Sequence, residues 1–296
     1  MSAAVPRAAA SAPAQLVPAS RFSIAQLTEA YNQTRVDYLV PMPMNAARLA
    51  EYIHSYDVDL EASVVAVDGD AILGLAMLGL RPGRSWITRL GVLPSARRHG
   101  LGWALMQGLL AGSDARGLTH NVLEVIKNNA PAYNLFVRCG FHAQSELLVL
   151  RRPPSPPPAP ASGTVTWLAD DAALALLAQR NDQPSWITEN ESLVRAGQVQ
   201  AVTVHRPEGG QGWLVFQVQT FRGLPMLLTR LTLRTLTGQP AEVGAALLSC
   251  LYTRFPDLDT QAENVAVTDP HLPAFQALGF VEAFRRIEMH RTLGGG

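Results

Sequence analysis

The chain has 296 residues, enough for two cores of ordinary size, and 48% of them are hydrophobic. Its 24 Lys+Arg balance 24 Asp+Glu, which leaves no global field to draw in nucleic acid or an anionic membrane. Two cysteines, Cys139 and Cys250, fall in separate halves without metal or redox spacing, so both are expected to be buried apolar thiols in a reducing, cytoplasmic compartment.

Residues 1–20 are rich in Ala, Pro and Ser, and Pro6, Arg7, Pro13 and Gln15 interrupt any signal-peptide core, so a disordered tail is expected there. A helix-like segment over 24–40 leads into Pro41-Met42-Pro43-Met44. His54, Asp57, Asp59 and Glu61 then cluster as a solvated turn, or as a selector of cationic ligands. The longest apolar run, 71–80, is broken by Gly74 and Gly79 and is too short to span a bilayer. A hydrophobic strand over 86–92 precedes Arg97-Arg98-His99-Gly100-Leu101-Gly102, which opens an amphipathic stretch over 103–111. Gly100 and Gly102 let the backbone turn without Cβ clashes, so consecutive N–H groups can face an anion at the positive end of a helix. An ordinary strand-to-helix turn would need the same glycines, but the cradle fits a phosphorylated ligand. Downstream come a buried strand (121–126), Lys127-Asn128-Asn129-Ala130-Pro131, a short helix (132–138), Cys139-Gly140-Phe141 and a strand (146–150).

Residues 153–162 are proline-rich and cannot supply the N–H groups of a helix or central strand, which predicts a stiff spacer. Across it the chain echoes itself: Thr88-Arg89-Leu90 returns as Thr229-Arg230-Leu231, 141 residues later, and Gly140-Phe141 as Gly279-Phe280, 139 residues later. Two collinear echoes at nearly one period argue for tandem copies of one fold, with domains at 21–152 and 163–296. The second copy lacks the cradle: Gly238-Gln239-Pro240-Ala241-Glu242-Val243 stands there, with Pro240 removing a donor, Val243 replacing a glycine and Glu242 adding negative charge. Trp167, Trp186 and Trp213 in that half are expected to be core or interdomain anchors.

The order and spacing of the first-half elements resemble the GNAT superfamily of acetyl-coenzyme A-dependent N-acyltransferases. Arg97, Gly100 and Gly102 match its Arg/Gln-x-x-Gly-x-Gly/Ala loop, and Asn129, Ala132 and Gly140-Phe141 match its later elements. The resemblance implies an α/β fold of two tandem GNAT-like domains, each a mixed, mainly antiparallel sheet flanked by helices, the second degenerate. It implies acetyl-coenzyme A as co-substrate, with no metal, and transfer to an amine in a ternary complex. Leu90, Gly91 and Val92 would line the pantetheine arm, and the Val92 N–H would polarise the thioester carbonyl. Arg97, Arg98, His99, Gly100, Leu101, Gly102 and Trp103 would surround the pyrophosphate, with Asn128, Asn129, Ala132 and Phe136 across the cleft.

Two catalytic positions depart from the pattern. Where many members carry an acid tyrosine this chain has Phe136, with Tyr133 three residues earlier as a substitute or a packed aromatic; where some carry a strand glutamate it has Trp86, leaving Glu124 as a general base or a structural residue. A small-molecule amine is the favoured acceptor and a protein N-terminus or lysine the alternative; a non-enzymatic acyl-coenzyme A sensor is the reading from another class. Monomer and homodimer both fit. Motifs for nucleotide phosphate loops, nucleophile elbows and zinc proteases are absent from the sequence.

Overall fold

In the computed structural model, which describes residues 14–156, 158–159 and 162–293, twelve strands form one continuous sheet. The first half supplies β1 (Gln15–Pro18), β2 (Val58–Asp68), β3 (Ala71–Arg81), β4 (Arg84–Val92), β5 (His120–Ile126) and β6 (His142–Arg152). Its helices are α1 (Ile24–Gln33), α2 (Ala46–Ser55), α3 (Leu101–Asp114) and α4 (Ala130–Arg138). The second half repeats the plan with β7 (Thr164–Ala169), α5 (Asp170–Leu177), α6 (Asn190–Ala196), β8 (Val199–His205), β9 (Gln211–Phe221) and β10 (Leu224–Thr237). It ends with α7 (Pro240–Arg254), β11 (Asp259–Ala266), α8 (Leu272–Ala277) and β12 (Val281–Thr292).

Strand order is β1-β2-β3-β4-β5-β12-β6-β11-β10-β9-β8-β7, so the last strands of the two halves are exchanged. β12 pairs antiparallel with β5 (Glu288 opposite Glu124) and with β6, while β6 pairs with β11. Cutting the chain at the proline-rich spacer therefore separates it in sequence but not in space. β4–β5 and β10–β11 are parallel; the remaining pairs are antiparallel.

Local chemistry explains the helix ends. A Ser23/Gln26 capping box starts α1, Asn45 caps α2, and Asn129 caps α4 with Pro131 in its first turn. α1 stops at Gln33 rather than running to residue 40, because the Thr34 carbonyl accepts from Arg97 Nη2 at 3.1 Å and Arg35 turns onto the Leu90 carbonyl. The tail expected through Ser20 is ordered from Ala14: β1 pairs with β2 from Gln15↔Val67 to Pro18↔Val64 and buries Val17. Residues 1–13 lie outside the described residues.

α3 packs Leu105, Met106 and Leu109 on one face of the first half, while α1 and α2 bury Leu27, Tyr31 and Leu49 in a separate core cluster. In the second half α7 buries Leu247, Leu248 and Leu251. Both cysteines are buried. Trp186 joins the halves: it stacks on Trp86 at 5.8 Å and 14°, donates to the Tyr56 carbonyl at 2.9 Å, and lies under the Arg81 guanidinium at 4.2 Å. Arg81 and Arg84, from the first half, both bind Glu189 of the second. Trp213 belongs to the core of the second half and Trp167 packs against its neighbouring cluster.

Candidate active site

β4 and β5 pair only from Arg84↔His120 to Ile87↔Leu123 and then diverge. Beyond that point β4 slips register against β3 between Leu75 and Met77, with Arg89 at φ +55°. Leu93 N–H bonds the Leu73 carbonyl at 2.8 Å, so by the alternation of an antiparallel ladder Val92 turns its N–H and C=O away from β3, into the gap beside β5. The Val92 carbonyl accepts from Arg97 Nε at 3.1 Å. Gly91 has to be glycine, since a Cβ there would lie 2.3 Å from Thr34 Oγ1. This gap is the mouth of a cleft of about 850 Å³.

The cradle forms one wall. Arg98 (φ +67°) and Gly100 (φ +81°) adopt left-handed conformations, with Gly100 as the N-cap of α3, so the first N–H groups of the helix are open to the cleft. Gly102 has a different constraint: its Cβ would meet Leu135 Cδ2 of α4 at 3.3 Å. Arg98 is exposed, and Arg138 sits 5.0 Å over the Trp103 ring. Arg97 lines the cleft as expected and is part-exposed, and its guanidinium also holds Asp37 (2.6 Å), the Thr34 carbonyl and the Val92 carbonyl, a clamp between β4 and the end of α1. His99 is exposed and does not line the cleft, which corrects its expected place beside the pyrophosphate. Leu90, Gly91, Val92, Leu101, Gly102, Trp103, Asn128, Asn129, Ala132 and Phe136 do line it.

Glu124 forms the floor. Its Oε2 accepts from Trp86 Nε1 at 2.8 Å and its Oε1 from Asn264 Nδ2 at 3.2 Å. Asn264 is oriented by Arg286, whose Nη1 donates to Asn264 Oδ1 at 2.6 Å while Nη2 donates to Glu263 at 2.8 Å. Burial outweighs the attraction of Arg286 and the Trp86 hydrogen bond and pushes the Glu124 carboxyl up to about 7. Such a group holds or releases a proton near neutrality, as a general base must.

Tyr133 does not reach the cleft. It packs against the core cluster of Phe136, Phe141 and Leu105, so its expected catalytic place is corrected. The phenol facing α4 across the cleft is Tyr38, whose hydroxyl accepts from Asn129 Nδ2 at 3.4 Å. Sequence reading also missed Tyr52, Tyr56, Arg89, Arg230 and Arg286, which line the inner end. The Tyr52 hydroxyl lies 2.6 Å from Thr88 Oγ1, and burial pushes the Tyr52 and Tyr56 phenols up. One signal did exist: Arg89 and Arg230 are the centres of the repeated Thr-Arg-Leu, and both have φ +55°. Met42 and Met44 line the same end, while Asp57 binds Arg81 and Asp59 accepts from the Glu61 and Ala62 N–H groups as a turn.

In the second half the start of α7 is closed to a phosphate: Val243 is fully buried against the positions of Gly210 and Gly212, and Glu242 pairs with Arg206 at 2.8 Å. A second cavity, about 1120 Å³, opens beside Leu231 and Leu233 and is walled by Trp186 and Glu189. Among the described residues no group of three or more His, Cys, Asp or Glu could hold a metal ion, and no helix is long and apolar enough to cross a membrane.

Comparison with known proteins agrees with this geometry. Residues 25–141 match the model of the Acetyltransferase (GNAT) family. No curated protein matches the sequence. Among solved structures, a GCN5-related N-acetyltransferase from Sphaerobacter thermophilus is 15% identical, with a TM-score of 0.70 over 96% of each chain. A tandem GNAT protein from the clavulanic acid biosynthesis pathway is 15% identical, with a TM-score of 0.65 over 96% of this chain and 99% of that one. A glucosamine N-acetyltransferase region of a fungal multi-domain β-N-acetylglucosaminidase is 13% identical, with a TM-score of 0.71 over 94% of this chain and 38% of that one. At such identities the likenesses speak for fold alone; the family match lies across the cradle of the first half, and both halves are built on one plan.

Proposed function

We propose that the protein transfers an acetyl group from acetyl-coenzyme A to the primary amine of a small molecule, in the first half's cleft. The observation that carries this reading is Glu124: a carboxyl poised at about 7 on the floor of the cleft that runs from the cradle. A sensor without turnover has no use for such a group. The small-molecule acceptor is supported by closure of the inner end, where Arg230, Gln261 and Arg286 of the second half face Tyr52 and Tyr56 and leave little room for a folded protein surface.

Open N–H groups at the start of α3, with Arg98 nearby, suit a pyrophosphate, and the gap beside Val92 suits an extended arm added to the strand edge. Acetyl-coenzyme A supplies an activated carbonyl. The Val92 N–H, aimed into the gap, would stabilise the negative charge that develops on its oxygen. Glu124 takes the ammonium proton, directly or through water, so that the amine lone pair is free to form the C–N bond as the C–S bond breaks. Tyr38 is our candidate for returning a proton to the departing thiolate, a role Phe136 cannot fill, and the second proton, shed by the nitrogen as the C–S bond breaks, passes through solvent and restores the Tyr38 phenol.

Calorimetric titration with acetyl-coenzyme A, with Gly102→Glu in parallel, tests the cofactor step. One site per chain, lost in the variant, is expected; a folded protein that does not bind would remove the enzyme reading. Thiol release with an amine panel then tests the transfer.

A further inference from the structure

The cleft is lined by eight arginines and four carboxylates. Most of that imbalance lies near the cradle or solvent, or is neutralised: Arg97 binds Asp37, Arg286 binds Glu263, and Arg230 lies 3.7 Å from Glu51. Arg89 differs. At the inner end, its Nη1 donates to the Tyr31 hydroxyl at 2.9 Å and its guanidinium sits 4.0 Å over the Tyr52 ring; Glu263 acts on it from beyond ion-pair distance and is itself bound by Arg286. Its Nε is buried without a hydrogen-bond partner.

The repeated architecture supplies an internal control. Arg230 occupies the same bulge in the other half with the same φ of +55°, and there the protein satisfies the guanidinium with the Tyr56 hydroxyl (3.0 Å), Gln217 Oε1 (3.0 Å) and Glu51. The threonines differ in the opposite direction. Thr88 Oγ1 is held by Tyr52, whereas Thr229 Oγ1, which lines the same cleft, is buried without a partner. Among the residues that line the same cleft as Glu124, Arg35 and Arg89 each carry an unpaired buried Nε and Thr229 an unpaired hydroxyl; Arg35 spends its other nitrogens on the Leu90 carbonyl beside the β4 gap, which leaves Arg89 and Thr229 for the inner end. Burying a cation and two unmet polar atoms is unfavourable unless a ligand meets them.

We propose that Arg89, assisted by Thr229, is the subsite for a carboxylate, so that the acceptor is an amino acid: its carboxylate sits on Arg89 and its ammonium approaches Glu124 across the Tyr52 ring. This deepens the proposed function and rests on it. A single guanidinium with one hydroxyl matches a monoanionic planar group, and a carboxylate restores local neutrality. The second copy contributes the hydroxyl and closes the cavity around the acceptor.

The test compares free amino acids with their primary amides, which keep the amine and side chain but lose the charge. Coenzyme A release is followed in the parent, Arg89→Gln, Arg89→Lys and Thr229→Val, and binding of N-acetyl amino acids without coenzyme A is followed by thermal shift. The parent is expected to favour the acids by about 100-fold in kcat/KM, the scale of a desolvated charged contact. Arg89→Gln is expected to bring acid and amide within about threefold by lowering only the acid, with Arg89→Lys partly restoring the preference and Thr229→Val lowering it about tenfold. Equal use of acids and amides by the parent, or a preference that survives in folded Arg89→Gln, overturns the subsite while leaving acetyl transfer standing. If no amine is turned over but N-acetyl amino acids stabilise the parent and not Arg89→Gln, the subsite stands and the acetyl-transfer reading falls.

Discussion

Replacing Glu124 by Gln removes the titratable group assigned as general base and keeps its size. The amide can accept from only one of Trp86 Nε1 and Asn264 Nδ2, and Asn264 is fixed by Arg286, so one hydrogen bond is lost, worth about 1 kcal/mol. Loss of a general base lowers kcat/KM by about 10²–10³-fold at pH 8. With the carboxyl titrating at about 7, roughly 9% is ionised at pH 6 and roughly 91% at pH 8. The amine titrates identically in both experiments, so the quotient of parent over variant kcat/KM isolates Glu124 and is expected to rise about tenfold across that interval. Steady-state thiol release from pH 5.5 to 9, with calorimetry showing unchanged acetyl-coenzyme A binding, provides the measurement. Parallel profiles, or a loss under about threefold, would refute the assignment and leave Glu124 a structural residue. Stability carries the opposite sign: the native carboxyl holds its proton more tightly than the unfolded one, so its contribution is complete below the ordinary carboxylate pKa and is lost as pH rises through about 7. Parent melting temperature is therefore expected to fall relative to Glu124→Gln between pH 5 and 8.

Gly102→Glu is expected to weaken acetyl-coenzyme A binding more than about 100-fold, through its clash with Leu135 and charge at the start of α3, whereas Gly102→Ala meets only a movable methyl and should bind nearly as the parent; calorimetry measures both. Trp186→Ala removes the stack on Trp86 and the cover over Arg81, and should cost about 3–5 kcal/mol in chemical denaturation. Deleting residues 281–296 strips the partner from β5 and from one edge of β6, so the shortened chain is expected to aggregate; a soluble, cooperatively melting product would contradict the exchanged topology.

What the sequence disclosed was local or periodic. The glycine spacing of the cradle and the Thr-Arg-Leu and Gly-Phe echoes are short-range signals, and the structure puts both echoes at equivalent points of the two halves. The strand exchange was invisible because β6 and β12 are similar strands, and an alternating pattern names a face rather than a partner. β1 was hidden because its four residues follow an Ala/Pro-rich stretch and gain order only from β2. Tyr133 misled for a geometric reason. Three residues before Phe136 on a 3.6-residue helix is a rotation of about 60°. Phe136 sits at the border of core and cleft, and that rotation carries Tyr133 to the core side.

The exchange also explains why the second copy matters after losing its cradle. β12 lies against β5 with Arg286 opposite Ile126, and its other edge places Arg286 opposite Leu147 of β6. That position lets one arginine orient Asn264 on Glu124 and neutralise Glu263. Were β12 paired within its own half, Arg286 would be carried away from β5, and Glu124 would lose both its oriented amide donor and its nearest cation. Burial would then be opposed by the Trp86 hydrogen bond without Arg286, and its carboxyl would titrate higher. Because the interface that supplies Arg286 is itself built from exchanged strands, those groups hold hydrogen-bond geometry without depending on a reversible domain contact. The second half could therefore carry Val243 in place of the cradle glycine and Glu242 at the start of α7, while its own β10 and β11 still line the inner end of the cleft.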